Sequence, residues 1–127
     1  MGGSPTPGIG FAVGIERILL VMESQGVKFP PESVPEIYVA SLGRDDAVIK
    51  LCYELRQRGI WAECDLAGRS LKAQMKNAGR SKAKYSIVIG DNEIQCSESD
   101  IKNMDSGEIA RIALDSDKIA SFLITKR

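Results

Sequence analysis

Glu36-Ile37-Tyr38-Val39-Ala40-Ser41-Leu42-Gly43-Arg44-Asp45-Asp46 is the stretch whose reading decides the fold. Its first seven residues, apolar and β-branched at the centre, have the pattern of a strand. Gly43 breaks the strand, and two acids follow in what reads as the first turn of a helix, where the helix dipole favours negative charge. Toward the C-terminus, Val48, Leu51, Cys52 and Leu55 repeat at helical spacing, and Gly59 ends that helix. Ile60-Trp61-Ala62-Glu63-Cys64-Asp65 alternates, with Ile60, Ala62 and Cys64 on one face and Trp61 and Glu63 on the other. Ser70 caps a second helix over 71–78, which Gly79 stops. Lys84-Tyr85-Ser86-Ile87-Val88-Ile89-Gly90 is a continuous apolar strand of the kind found in the middle of a covered sheet.

Strand, helix, strand, helix, strand in this rhythm implies right-handed crossovers and a parallel sheet with the first strand in the middle. After Gly90 the rhythm changes. Residues 100–104 and 108–114 flank Asp105-Ser106-Gly107, a hairpin signal with glycine in the turn. A final helix is expected over 117–126, with Ile119, Phe122 and Leu123 inward. The expectation for 36–127 is an α/β domain with a five-stranded mixed sheet and about three helices.

In the other direction, 27–35 carries three prolines and reads as an extended linker and domain boundary. A helix is expected over 14–25, with Gly26 as its left-handed stop. Ile15, Ile18, Leu19 and Met22 form one apolar face, and Leu20 and Val21 cover much of the rest. Such a helix is normally buried on several sides, so the chain reads as a fragment of something larger. Before it, glycines at 8, 10 and 14 punctuate what reads as a short strand over 7–13. A dinucleotide loop is disfavoured there, because two prolines rather than a hydrophobic strand precede the glycines.

With 127 residues, 43% hydrophobic and 27% charged, the chain has an ordinary globular composition. It has no histidine, which excludes a histidine triad or a histidine-ligated zinc within it. Cys52, Cys64 and Cys96 lack metal or redox spacing and read as reduced thiols of a cytosolic protein. No run is long enough to span a bilayer. The formal charge is zero but segregated. Six bases (Arg69, Lys72, Lys76, Arg80, Lys82, Lys84) and no acid lie between 69 and 84, whereas 91–108 holds six acids against Lys102. Such segregation can place a basic face on a neutral molecule. Arg69, Lys72, Lys76 and Arg80 are spaced by three, four and four, which on a helix gives one shared face.

The segment Gly3-Ser4-Pro5-Thr6-Pro7-Gly8-Ile9-Gly10-Phe11-Ala12-Val13-Gly14-Ile15-Glu16-Arg17 resembles motif 3 of the class II aminoacyl-tRNA synthetases, in the form the histidyl-tRNA synthetase family carries. The rest of the chain resembles that family's anticodon-binding domain. The resemblance implies a three-layer domain over 36–127, preceded by a strand–helix remnant of the catalytic domain over 1–26. It implies that Arg17 meets the terminal phosphate of ATP, with Gly14 and Glu16 beside it. It also implies a cytoplasmic, homodimeric parent that joins histidine to its tRNA using ATP and magnesium. Motifs 1 and 2 are absent from this chain, so it is expected to bind no cofactor and to be inactive in ligation by itself. An exposed apolar helix over 14–25 would let it self-associate.

The expected partner is the anticodon loop of tRNA, held by Arg44, Arg69, Lys72, Lys76 and Arg80. Arg44 either faces a phosphate or base beyond the first strand's end, or is a surface arginine. Tyr38 and Trp61 are stacking platforms or core. Glu63 or Asp65 could accept from a base amine. Glu93 touches RNA or caps a turn. The alternative from another class is a non-catalytic synthetase paralogue that senses RNA or docks on proteins. A small nucleotide-binding α/β protein is disfavoured, because no phosphate loop follows the strand at Ile37 or at Tyr85.

Overall fold

The computed structural model describes residues 2–30 and 33–127. Met1, Pro31 and Glu32 lie outside the described residues, so the linker read over 27–35 is described only in part. The chain forms two compact units, Met1–Glu32 and Ser33–Arg127.

The first unit holds one helix, α1 (Ile15–Ser24), with Gly26 in the left-handed region at φ +74° just past its end. None of its residues is buried. The strand expected over 7–13 does not form; this segment is irregular, and Ile9 and Phe11 are fully exposed. An extended segment becomes a strand only when a neighbour takes up its backbone hydrogen bonds, and local sequence cannot supply one.

The second unit runs β1 (Ile37–Ser41), α2 (Asp45–Gln57), β2 (Ala62–Cys64), α3 (Leu71–Arg80), β3 (Tyr85–Ile89), α4 (Asp91–Cys96), β4 (Glu98–Asn103), β5 (Ile109–Ala113), α5 (Ser116–Thr125). The sheet order is β2-β1-β3-β4-β5. β1 pairs in parallel with β2 and β3, while β4 is antiparallel to both β3 and β5. All five residues of β1 are buried, as suits the middle of a sheet covered on both faces. Its alternate side chains serve different layers. Ile37 and Val39 join the larger core with Leu51, Leu55 and Val48 of α2, Ile87 and Ile89 of β3, and Ile119 and Leu123 of α5. Tyr38 and Ala40 meet Ala78, Leu71 and Met75 of α3 on the other side. The result is three layers, with α2 and α5 on one face and α3 on the other.

Three local readings need correction. Residues 91–96 form a short helix, so four helices rather than three accompany the sheet. Its start is fixed by the Glu93 carboxylate, which accepts the Gly90 N–H at 2.9 Å, and six residues are too few for a helical period to show. β4 begins at Glu98, two residues earlier than expected, with Glu98 opposite Ala113. Ser70 is the N-cap of α3, its Oγ accepting the Ala73 N–H, so Arg69 precedes the helix and does not share its face. The hairpin turn forms around Gly107 at φ +76°. The cap of α5 is Asp115, whose Oδ1 accepts the N–H groups of Asp117 and Lys118 at 3.0 Å.

Candidate nucleic-acid interface

α3 covers the middle of the sheet but leaves the edge next to β2 open. There lies a groove of about 570 Å³, lined by Tyr38, Glu63 and Cys64 from the sheet, Asp65, Leu66, Ala67 and Arg69 from the loop after β2, and Asn77, Arg80 and the following Ser81 at α3. The in-register pairing of Tyr38 with Glu63 puts both side chains on the α3 side of the sheet. Tyr38 is only 3% exposed and belongs to the core. Burial pushes its phenol above the usual range, and nearby Asp65 pushes it further the same way. Trp61, just before β2, stays 42% exposed.

The loop 65–70 is built around a buried carboxylate. The Asp65 side chain is 4% exposed; its Oδ2 accepts the N–H groups of Ala67 at 3.2 Å and Arg69 at 2.8 Å. Its Oδ1 lies 3.6 Å from Nε of Arg69, whose guanidinium remains half-exposed. These bonds leave Asp65 engaged within the protein. On the other side of the loop, Gln74 of α3 is buried and bonds both Ser41 of β1 and the Arg69 carbonyl.

Basic residues differ in their pairing. Arg44, Arg58, Arg111 and Arg127 are each ion-paired with acids, at 2.6–3.5 Å. Arg44 sits between Asp46 and Asp91, whose carboxylates raise its already high pKa, while Arg44 in turn holds Asp46 below the usual carboxylate range. It does not line the groove. Lys72, Lys76 and Arg80, by contrast, point outward from α3 and have no acidic partner within 4 Å among the described residues. Like charges at i, i+4 weaken an isolated helix by a few tenths of a kcal/mol per pair, about 0.2–0.5. A row of cations with no acidic partner among the described residues, beside a groove lined by Arg69 and Arg80, suits a flexible polyanion. Of the sequence candidates, Arg69 and Arg80 line the groove itself and Lys72 and Lys76 extend the same positive layer.

In the first unit, Gly14 is the N-cap of α1, and Glu16 and Arg17 are exposed in its first turn. A Cβ at Gly14 would meet only Arg17 Cβ, at 3.8 Å, so packing inside this unit does not require glycine there.

Gln74 and Asn77 escaped the sequence reading. The signal for Gln74 was present: it lies on the same stripe as Leu71, Met75 and Ala78. A polar side chain on a buried stripe must find partners.

A family model for the "Anticodon binding domain" matches residues 36–123. The chain belongs to the anticodon-binding domain family. Over 117 residues this family member is 53% identical to a histidine–tRNA ligase of Acetivibrio thermocellus, covering 91% of the chain and 28% of the relative. Over 124 residues it is 42% identical to a histidine–tRNA ligase of Clostridium perfringens, covering 95% of the chain and 30% of the relative. Among solved structures, apo histidyl-tRNA synthetase of S. aureus superposes with a TM-score of 0.70 at 38% identity, over 86% of this chain and 28% of that one. The RNA-binding domain of a Cryptosporidium parvum threonyl-tRNA synthetase shares the fold, with a TM-score of 0.63 at 18% identity. The anticodon-binding chain thus spans less than a third of the length of these histidine–tRNA ligases. No helix among the described residues is long and apolar enough to cross a membrane.

Proposed function

We propose that this chain is the tRNA-anticodon-binding part of a histidine–tRNA ligase, and that the groove beside α3 receives the anticodon loop. The observation that carries this reading is the row Lys72, Lys76, Arg80, without acidic partners among the described residues, at a groove that Arg80 and Arg69 line. Phosphodiesters would lie along the α3 layer, and unstacked bases would enter the groove toward Glu63 and Asn77. Arg44 contributes only if RNA displaces Asp46 or Asp91. The curated relatives are ligases by name, which favours this reading over a non-catalytic sensor or docking paralogue.

The parent protein would join histidine to its tRNA with ATP and magnesium, as a cytoplasmic homodimer. Arg17, with Gly14 and Glu16 beside it, would face the terminal phosphate of ATP in that setting. The residues of the first unit do not by themselves fit such a ligand. Its basic side chains are Arg17 and Lys28 alone, and no cluster of three metal-ligating side chains occurs among the described residues. A triphosphate with magnesium needs several converging donors. The chain alone is therefore expected to give no ATP–pyrophosphate exchange with histidine. The apolar side chains of α1, with Leu20 64% exposed, would meet the remainder of the parent, or a second copy when the chain is isolated.

The test is binding of the chain to the anticodon stem-loop of histidine tRNA and to one with a changed anticodon, at two salt concentrations. Preference for the native loop that persists in salt supports specific readout. Equal binding to both that collapses in salt reduces the role of the groove to electrostatic holding. Absence of binding overturns the reading for this chain.

A further inference from the structure

Gln74 is 3% exposed and lies on the side of α3 turned to the sheet. Its Oε1 accepts the Ser41 N–H at 2.8 Å, and its Nε2 donates to the Ser41 carbonyl at 3.1 Å and the Arg69 carbonyl at 2.7 Å. Ser41 in turn accepts the Arg44 N–H on its Oγ at 3.0 Å. One buried amide therefore joins the end of β1 to the loop after β2. Helix-to-sheet packing alone would not require it, since Leu71, Met75 and Ala78 pack from the same stripe without polar atoms.

The residue this network converges on is Arg69. Its N–H is taken by Asp65 and its C=O by Gln74, both buried side chains. Its guanidinium is left half-exposed at the groove. A backbone held at both polar atoms has little freedom left to lose when the side chain meets a ligand, and ordering a loop on binding costs affinity.

We infer that Gln74 is a positioning residue for RNA recognition: through its bond to the Arg69 carbonyl it holds that arginine ready for a phosphodiester of the bound loop. This rests on the anticodon-loop reading of the groove. Gln74 does not touch the RNA, and its effect is transmitted only through Arg69.

The experiment is a double-mutant cycle on the full 127-residue chain. Gln74→Met, a near-isosteric change, is combined with Arg69→Ala, and binding to the anticodon stem-loop is measured. Amide hydrogen exchange at Ala67 and Arg69 is followed without RNA. The expected result is a loss of about tenfold with native Arg69, the scale of one charge-assisted contact, and under about twofold once Arg69 is alanine. The Ala67 and Arg69 amides should exchange faster while far-UV dichroism stays unchanged. Gln74→Asn, whose shortened amide no longer reaches the Arg69 carbonyl, should show the same dependence on Arg69 if Gln74→Met proves too unstable to assay. Equal losses in both Arg69 backgrounds would mean general destabilisation and overturn the inference, as would unchanged exchange at both amides. If the native chain fails to bind the stem-loop, the RNA reading falls and this inference with it, whereas binding by the native chain with no effect of either variant sinks the inference alone.

Discussion

Arg127 grips Glu36 with two hydrogen bonds, Nε to Oε2 at 2.8 Å and Nη2 to Oε1 at 2.9 Å, and its Nη2 also donates to the Gly59 carbonyl. The pair ties the chain just past α5 to the residue just before β1. Glu36 accepts the Trp61 N–H as well, at 3.1 Å, so three segments meet at one carboxylate.

That carboxylate titrates below the usual glutamate range, first because of the Arg127 bond, with the Trp61 amide assisting and burial opposing. A depressed folded-state pKa stabilises the fold above the ordinary glutamate pKa of about 4.3, and this contribution disappears as pH falls through the lower folded value. The Glu36 carboxyl resonance is expected to titrate higher in Arg127→Ala, and the urea midpoint of that variant to fall less between about pH 5 and pH 3. An unmoved resonance would show that the pair does not persist in solution.

The α4 start gives a second expectation. Glu93→Ala removes the carboxylate that accepts the Gly90 N–H, and loss of such a cap costs about 1 kcal/mol. Gly90→Ala should reproduce much of this, because its Cβ would stand 2.9 Å from Glu93 Oε2 and force that carboxylate away. Denaturant melts of the two single variants and the double variant test the shared origin; fully additive losses would refute it.

Replacing Lys72, Lys76 and Arg80 together by glutamine should leave the melting temperature unchanged or slightly raised, since like-charge spacing on α3 is relieved. The same triple change should flatten the log–log salt dependence of stem-loop binding by about 2, at about 0.7 for each phosphate that is no longer neutralised. A slope equal to that of the native chain would place the phosphates elsewhere.

Ile87 is fully buried at the sheet centre, whereas Ile109 on edge strand β5 is 64% exposed. Ile87→Ala should therefore cost about 2–5 kcal/mol by urea unfolding, and Ile109→Ala within about 0.5. Similar losses at both sites would contradict the assigned layers.

Much of the domain was legible because its strands differ in kind. The apolar run of β3 declares a central strand, the strand–helix rhythm puts β1 in the middle, and the alternation of Ile60–Cys64 declares a strand with two unlike faces. Gly107 marked the hairpin, and Ser70 marked the start of α3. What stayed hidden depends on contacts distant in sequence. Glu93 reaches back to Gly90 in a helix too short to have a period. The spacing from Arg69 to Arg80 suggested one helical face, but the cap at Ser70 ends the helix first. The free or paired state of each arginine cannot be seen in the chain: Arg44 meets Asp91 across 47 positions. The glycine-spaced segment over 7–13 has the composition of a strand but gains no neighbour within its own unit.

The alternation of β1 also separates two burdens that often compete. Ile37 and Val39 secure the thick aliphatic layer, while Tyr38 and Ala40 seat the thin α3 layer that presents the cations. Recognition can therefore be retuned by redrawing the outer surface of α3, with the thick layer acting as an undisturbed chassis. Insertion of one residue within β1 would exchange the two sets of side chains and damage both functions at once.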